Sequence, residues 1–560
     1  MRKLPIFDWA PGYRRTWLRG DLIAGLTVWA VLVPEALAYA TIAGVSPVVG
    51  LYAAAPALIF YAAFASSRHV ITGPMAATAA LSAATVATLA PAGSDAFLQL
   101  TITLALVVGA LALLAGLFRL GFLANFISEP VLKGFIVGLA LTIIVGQAPK
   151  LLGVEKTEGD FFRQLWGLFG KLGGTSGLTL LVGLVSLALV LGLRRFLPVV
   201  PGSLVAVLFG IVIVHLFDLD RHGVAIVGHI DGGLPSFGLP NVDTHRYLDL
   251  AGSGVGVMLI GFAEGLGAAK TYAAKHHYEI DPNRELIALG AANLGSGLSS
   301  GMVVNGSLSK TAVNGSSGAR SQLSGLVVAA LTVITLLFLT GLFEELPEAT
   351  LAAVVIAALI ELVDVHAIAD LYRYHSRRSG AALAVATRAD FVAALAAMFG
   401  VLVFDTLPGL VIGIATSIVL LIYRASQPHV AVLGKAPGTA DQWSDMQRHP
   451  DNALPDDLVV LRPESGLFFA NADAVRKSIR AHATGTIRSV VLDAETMPAI
   501  DVTAIGMLLE LGDDLRRDGV ELVIARDIGA VRDLLEQGDR PEAIHTFPTV
   551  QAAVDALARP

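Results

Sequence analysis

GMVVNGSLSKTAVNGSSGARSQLSG, residues Gly301–Gly325, is a polar, glycine-punctuated stretch with a long apolar segment just beyond it. Its Asn305, Ser307, Ser309, Lys310, Thr311 and Asn314 would suit a surface loop of a soluble protein. Yet the stretches on either side are hydrophobic and of membrane-spanning character. Non-helical backbone at membrane depth is tolerated only where protein buries it or where it lines a wet cavity. Gly306 followed by Ser307, Leu308 and Ser309 can start a half-helix whose free N–H groups and positive dipole end make an anion site. Lys310 adds a full positive charge beside it. The stretch reads as the substrate cradle of a membrane transporter.

Working outward, 54% of the 560 residues are hydrophobic and only 15% are charged, which sets the chain apart from a soluble enzyme of this length. Apolar stretches of bilayer-crossing length recur from Asp21 to about Arg424, so a large soluble core is a poor alternative. Arg2, Lys3, Arg14, Arg15 and Arg19 precede a first span too long for a signal-peptide core, and by the positive-inside rule they put the N-terminus in the cytoplasm. Cysteine is absent, which excludes disulfides, thiolate metal sites and cysteine nucleophiles. The net charge of −7 argues weakly against nucleic-acid binding. No nucleophile constellation, phosphate loop or metal cluster stands out, so no enzymatic activity, cofactor or metal is expected. The adjacent His276 and His277 point apart on a helix, and Lys275-His276-His277 reads as a solvated basic loop.

The first span, roughly Leu22 to Ala43, is interrupted by Pro34-Glu35, and a carboxylate in mid-span by default marks a pathway residue. A second span opens at Pro47. Thr72-Gly73-Pro74-Met75 then starts a short small-residue segment, AATAALSAATVATLA, that is hardly long enough to cross alone and suits a half-helix with proline at its first turn. Further spans fit Phe97–Leu117, Phe126–Gln147, Leu178–Leu193, Pro201–Phe217 and Gly252–Ala274, the last with Glu264 in its middle. Later ones fit Leu286–Leu298, Leu323–Phe343, Leu351–Val363, Phe391–Phe404 and Leu410–Tyr423. Arg194-Arg195 reads as a snorkelling interfacial pair, and Arg373, Arg377, Arg378 and Arg388 as a cytoplasmic loop.

PEALAYA around Glu35 resembles AEGLGAAK around Glu264, and in each half a glycine-started polar half-helix begins about 40 residues later, at Gly73 and at Gly306. Two broken helices at matching positions in two halves are the best sequence pointer to a midplane binding site.

Residues 1–426 thus form a membrane domain, 427–456 a polar, proline-containing linker, and 457–560 a small α/β domain. The last is expected to contain strands at Leu458–Leu461, Leu467–Ala470, Ser489–Asp493 and Val520–Ala525. Helices are expected from Ala472, over Val502–Arg517, from Ile528 and near Val550–Leu557. About 100 residues suffice for one soluble domain.

Taken together, the chain resembles the sulfate permease and solute carrier 26 family of anion transporters. The resemblance is carried by PVVGLYAAAPALIFYAAFASSRH (Pro47–His69), IDPNRELIALGAANLGSG (Ile280–Gly297), GSLSKTAVN (Gly306–Asn314) with GARSQLSG after it, and GLFFANAD (Gly466–Asp473). It implies an α-helical polytopic fold of about 14 spans in two inverted seven-span repeats, with a core domain moving against a gate domain, followed by a cytoplasmic STAS domain. It also implies a homodimer in the inner membrane and a cytoplasmic partner for the STAS domain. The anion is then expected between two half-helix N-termini, at Pro74, Met75 and Ala76 on one side and Ser307, Leu308 and Ser309 on the other. Lys310 corresponds to a basic residue that adds positive field. Glu35 falls where many relatives carry an anion-contacting glutamine, and Tyr39 where they carry an aromatic wall. The change to Glu35 speaks against direct anion contact there unless its carboxyl is protonated when the anion binds. Glu264 falls at a coupling carboxylate. Sodium-coupled members carry threonine one turn later, where this chain has Ala268, which weakens a sodium reading. Thr503, in AIDVTA at the start of a helix, matches a position phosphorylated in soluble STAS proteins, although Asp501 and Thr503 are also ordinary N-capping residues.

A carboxylate in a low-dielectric cavity is a natural proton carrier, and a bound dianion beside it favours the protonated form further, which is the logic of symport. The expected activity is therefore proton-coupled sulfate uptake by alternating access. A bicarbonate or dicarboxylate transporter, an uncoupled anion channel, a nucleobase permease and a regulatory membrane protein are the alternatives.

Overall fold

The computed structural model describes residues 6–122, 128–197, 200–230, 232–360, 363, 381–404, 406–527, 529, 532–533 and 544–557. The chain divides into two compact units, Met1–Arg377 with Thr387–Ser417, and Arg378–Ala386 with Ile418–Pro560. Each is described by itself.

The first unit is helical. It begins α1 (Leu18–Ile42), α2 (Val48–Phe64), strand β1 (Ile71–Gly73), α3 (Ala76–Ala87), α4 (Asp95–Leu117), α5 (Glu129–Leu152) and α6 (Phe161–Lys171). It continues with α7 (Gly177–Phe196), α8 (Gly202–Phe217), α9 (Thr244–Asp249), α10 (Ala251–His276) and α11 (Pro282–Leu298). Strand β2 (Asn305–Ser307), α12 (Leu308–Ser316), α13 (Leu323–Phe338) and α14 (Glu348–Ile360) follow, and then most of α15 (Ala381–Phe404) and the first half of α16 (Thr406–Ser426), both of which run across the division of the chain. Among the described residues, six helices are long and apolar enough to cross a bilayer, and others are shorter apolar helices. Leu114, Phe118, Leu181, Phe338, Val403 and Ile422 are all exposed, as lipid-facing side chains are.

Several expectations change. The α1 helix runs unbroken through Pro34, because neighbouring helices bury Ala30, Leu32–Ala40 and absorb the local loss of one backbone bond. His276 closes α10 and its ring stacks on His69 at 4.3 Å, so the expected solvated loop is in part a packed junction. Arg388 lies on α15 rather than in a loop, while Arg373, Arg377 and Arg378 lie outside the described residues.

The half-helices are real. At 1.5 Å per residue, the 12 residues of α3 and the nine of α12 reach roughly 18 and 14 Å, short of a hydrocarbon core of about 30 Å. Each grows from a three-residue strand, and the two strands pair antiparallel, Ile71 with Ser307, Thr72 with Gly306 and Gly73 with Asn305. The ribbon is how irregular backbone survives at depth, because each strand supplies the other's hydrogen bonds. Antiparallel pairing also sends the two helices off in opposite directions, leaving both N-termini at the ribbon. Asn293 extends the device upstream of β2: its amide nitrogen donates to the Val304 carbonyl (2.9 Å) and its oxygen accepts from the Val304 N–H (3.0 Å). A Cβ at Gly306 would lie 2.9 Å from the Cα of Gly265, so only glycine lets β2 lie this close to α10.

Small residues likewise bring α4 and α11 together. A Cβ on Gly290 would meet the Leu113 backbone nitrogen at 2.6 Å, the close approach that replaces hydrophobic driving force between helices in lipid.

The second unit contains β3 (Val430–Lys435), β4 (Trp443–Asp445), β5 (Leu458–Pro463), α17 (Ala472–His482), β6 (Ser489–Asp493), α18 (Val502–Arg517), β7 (Glu521–Ala525), β8 (His545–Phe547) and α19 (Val550–Leu557). The sheet order is β4-β3-β5-β6-β7-β8, with β5 to β8 parallel and β3 antiparallel to both neighbours. Alternate residues of β5 face opposite sides: Val459 and Leu461 meet α17 and α18, while Leu458 and Val460 meet α19. Both faces are covered, as a parallel sheet requires.

The stretch 427–456 supplies β3 and β4, with Ala431 and Leu433 buried, so much of the expected linker belongs to the sheet. Leu467–Ala470 is not a strand beyond one bridge between Leu467 and Ile500. Side chains take its backbone donors instead: Phe468 N–H donates to Asn471 and Phe469 N–H to Asp501. The expected helix from Ile528 falls largely outside the described residues.

Candidate anion-binding site

The site is built where the ribbon feeds the two half-helices. Met75 is extended ahead of α3 and its side chain does not cap the helix, so the first-turn N–H groups from Ala76 onward have no partner within the helix. Pro74 has no N–H and contributes shape alone. Ser307 is extended ahead of α12 and its hydroxyl accepts from the Lys310 N–H at 3.2 Å, with the Ser309 hydroxyl 3.1 Å away. Leu308 turns its side chain outward, leaving only its N–H to the site.

Lys310 lies in the first turn of α12 and is 1% exposed. Its ammonium sits 2.6 Å from a carboxylate oxygen of Glu35, 3.8 Å from the Met75 sulfur and 5.1 Å from the centre of the Tyr39 ring. Glu35 and Tyr39 are one turn apart on α1 and therefore share a face. The structure thus brings Glu35, Tyr39, Met75 and Lys310 together, drawn from α1, the start of α3 and α12. Lys310 is a cation buried under compensation: an ammonium in this position without Glu35 would be left uncompensated.

Glu264 is held apart from this pair. Its carboxylate accepts from the Asn305 amide at 2.9 Å, and the Asn305 oxygen accepts from the Gly306 N–H at 2.6 Å. The mid-span carboxylate of α10 is therefore wired to the strand that launches α12.

A cavity of about 160 Å³ is lined by Thr27 and Glu35 of α1, Arg194 of α7, Ser203 of α8, Ser309 of α12 and Val354 of α14. It is small for an organic ligand and suits a small anion with its waters. Arg194, which the sequence suggests as an interfacial anchor, borders this cavity, as does Glu35. Sequence reasoning also missed Asn305 as the partner of Glu264. Its place beside Gly306, as the first polar residue after Met302-Val303-Val304, was the available signal.

In the second unit Thr503 is exposed at the start of α18, and the capping is done by Asp501, which accepts from the Ala504 N–H at 2.8 Å.

A profile of the sulfate permease family matches residues 18–387, and a STAS-domain profile matches residues 449–553. The chain belongs to the sulfate permease family. A Mycobacterium tuberculosis protein described as "Probable sulfate transporter" is 37% identical, with 98% of each chain covered. The "High affinity sulfate transporter 1" of Stylosanthes hamata is 30% identical over 99% of this chain and 85% of its own length. Among solved structures, the murine solute carrier 26 family member A9 anion transporter superposes with a TM-score of 0.88 at 22% identity, covering 99% of this chain and 94% of that one. The transmembrane domain of a cyanobacterium bicarbonate transporter matches with a TM-score of 0.60 at 22% identity, covering 72% of this chain and 98% of that one. The expected fold class therefore stands: a mostly helical membrane fold of the solute carrier 26 type, with a C-terminal STAS domain of sheet and helices. Sulfate permeases are multi-pass membrane transporters rather than enzymes, and this chain is an anion transporter.

Proposed function

We propose that this sulfate permease takes up sulfate together with protons by alternating access, in an elevator-like movement of the half-helices relative to the rest of the membrane unit. The observation that carries the reading is the buried ammonium of Lys310 in the first turn of α12, 3.8 Å from the sulfur of the residue that precedes α3. Both free N–H ends and a fixed cation then serve one anion. Sulfate is favoured over bicarbonate or a dicarboxylate because the plant and mycobacterial relatives are named for it.

Proton coupling follows from the two carboxylates. Glu35 occupies the ammonium that a dianion would use, so the anion takes its place at Lys310 only when the Glu35 carboxyl moves off or becomes neutral. Glu264, joined through Asn305 to the start of α12, is the proposed coupling carboxylate: a negative charge held there opposes a dianion at the same helix terminus, and a proton removes it. The membrane is the cell membrane, with the basic N-terminus and the STAS domain cytoplasmic. The protein is a homodimer, and Thr503 is a regulatory phosphorylation site facing a cytoplasmic partner.

The test is uptake of radiolabelled sulfate into proteoliposomes, first under an inward proton gradient and then under a sodium gradient. Proton-driven accumulation is the expected result. Uptake of bicarbonate or fumarate in place of sulfate would keep the transporter and replace the substrate. Uptake proportional to driving force without proton movement would indicate a channel.

A further inference from the structure

Between α5 and α7 the chain carries the short helix α6, FFRQLWGLFGK. Phe162, Trp166 and Phe169 fall at the i, i+4, i+7 spacing that puts them on one face, and they are 43%, 72% and 56% exposed. Phe161, Leu165 and Leu168 flank them and are half-buried, while Arg163, Gln164 and Lys171 hold the opposite side. We propose that α6 is an interfacial helix whose aromatic face docks into the headgroup layer of the lipid bilayer and pins the adjoining ends of α5 and α7 there.

Its place in the fold supplies the partner. Both α5 and α7 are long and apolar enough to cross a bilayer, so their adjoining ends mark one membrane surface. The Ser176 N–H, just ahead of α7, donates to the Leu152 carbonyl at the end of α5 at 3.0 Å. Contacts just beyond Leu152 hold α6 to the same level. The Lys171 ammonium donates to the Glu155 carbonyl at 3.1 Å, and a Cβ on Gly167 would collide with the Thr157 side chain. Asp160 fixes the start of α6 by accepting from the Arg163 N–H at 2.9 Å. Along the chain, the exposed apolar surface continues through Leu172 to Leu181 and Leu184 near the start of α7, part of the lipid-facing belt.

Charge and area decide what kind of docking this is. In residues 153–176, Glu155, Glu158 and Asp160 balance Lys156, Arg163 and Lys171, so attraction to anionic headgroups has no net charge to act on. The docking rests instead on apolar burial and on the preference of tryptophan for the interface, where its ring is apolar and its N–H wet. The three rings and Leu172 present on the order of 400 Å². A stable contact with a second copy takes about 800 Å² per partner, so lipid is the better fit. The anchored end is shared by a third helix. The Lys150 ammonium lies 3.2 Å from the Glu348 carboxylate, tying α5 to α14, and the Ser186 and Thr350 hydroxyls, 3.0 Å apart, tie α7 to α14. Docking of α6 thus holds three packed helices at one level while the half-helices move, a consequence that rests on the transport reading above.

The chain contains no cysteine, so a single introduced one takes a spin label without background. Full-length Trp166→Cys, Phe169→Cys and Arg163→Cys are labelled and reconstituted into phosphatidylcholine vesicles. Accessibility to oxygen, which concentrates in lipid, is then compared with accessibility to a water-soluble nickel chelate. Labels at 166 and 169 should be shifted toward oxygen, and the label at 163 toward nickel. Labels at 166 and 169 as open to nickel as the one at 163 overturn the proposal, because the aromatic face then stands in water. Shielding from both reagents also overturns it, since protein then covers the face, and spin–spin distances between copies identify a second chain. Sulfate uptake tests the pinning: Trp166→Ser combined with Phe169→Ser should lower the maximal rate several-fold with KM unchanged, and an unchanged rate overturns that role. Wild-type protein that moves no sulfate overturns the transport reading, while the label accessibilities still decide the docking of α6.

Discussion

Lys310 is held by three partners of different kinds, a carboxylate, a thioether and an aromatic face, and each bears on what its removal does. Lys310→Ala removes the cation and leaves the Glu35 charge uncompensated by it, so sulfate affinity should fall by about ten- to a hundredfold in a direct binding titration. An unchanged affinity would make Lys310 structural. Glu35→Gln works in the opposite direction at neutral pH, because the amide no longer competes with the anion for the ammonium. Sulfate should bind this variant more tightly than wild type at pH 7.5 in the same titration, and equal affinity would show that Glu35 does not compete for the ammonium. Glu264→Gln mimics the protonated state permanently and should remove the share of the pH dependence of uptake that Glu264 carries, leaving a shallower profile; an unchanged pH profile would remove Glu264 from coupling. The sequence already pointed to both carboxylates and to Lys310, since charges in apolar spans stand out. It did not reveal that Lys310 pairs with Glu35 while Glu264 pairs with Asn305, because pairing between α1 and α12 spans 275 residues of chain.

At the scale of elements, the half-helices were legible because glycine and polar residues break apolar runs that are otherwise continuous. The ribbon that joins them was not, since three-residue strands carry no periodicity to read. The border of the cavity was not legible for the opposite reason: a basic residue at the end of an apolar span, such as Arg194, has the same sequence signature whether or not it also lines a cavity. The strands inside 427–456 were hidden by surrounding turn residues, whereas Leu467–Ala470 looked like a strand until Asn471 and Asp501 took its N–H groups.

Where α2 ends, a polar knot does comparable structural work. The buried Glu285 carboxylate of α11 accepts from the Tyr61 hydroxyl, from the Ser66 N–H (2.9 Å) and hydroxyl (2.6 Å) and from the Ser67 N–H (2.8 Å). Glu285→Ala strands these donors and should cost about 3 kcal/mol, read as a lowered midpoint of unfolding in detergent. In the STAS domain, Asp501 and Thr503 separate capping from regulation. Asp501→Ala removes the cap of α18 and should cost about 1 kcal/mol, seen as faster amide exchange in its first turn. Thr503→Ala should change stability by less than about 0.5 kcal/mol, so any effect of that variant on transport is regulatory.

For the whole molecule, the two carboxylates and the lysine fix how much charge crosses the membrane per cycle. If Glu35 and Glu264 are ionised in the empty carrier and Lys310 is charged, the site carries −1. If both take a proton when the sulfate dianion binds, the loaded site also carries −1. Two protons then accompany each sulfate and transport is electroneutral. Uptake driven by a proton gradient should therefore be indifferent to a potassium diffusion potential imposed with valinomycin. In Glu264→Gln the empty site is neutral and the loaded site still carries −1, so one net negative charge enters with each sulfate. An inside-negative potential should then slow uptake, and an inside-positive one should speed it, each 100 mV weighing about 2.3 kcal/mol on the transfer. Wild-type uptake that responds to the potential would mean that one of the two carboxylates keeps its charge throughout the cycle. The sensitivity of Glu35→Gln, measured in the same vesicles, then tells which: a response equal to that of wild type assigns the silent role to Glu35.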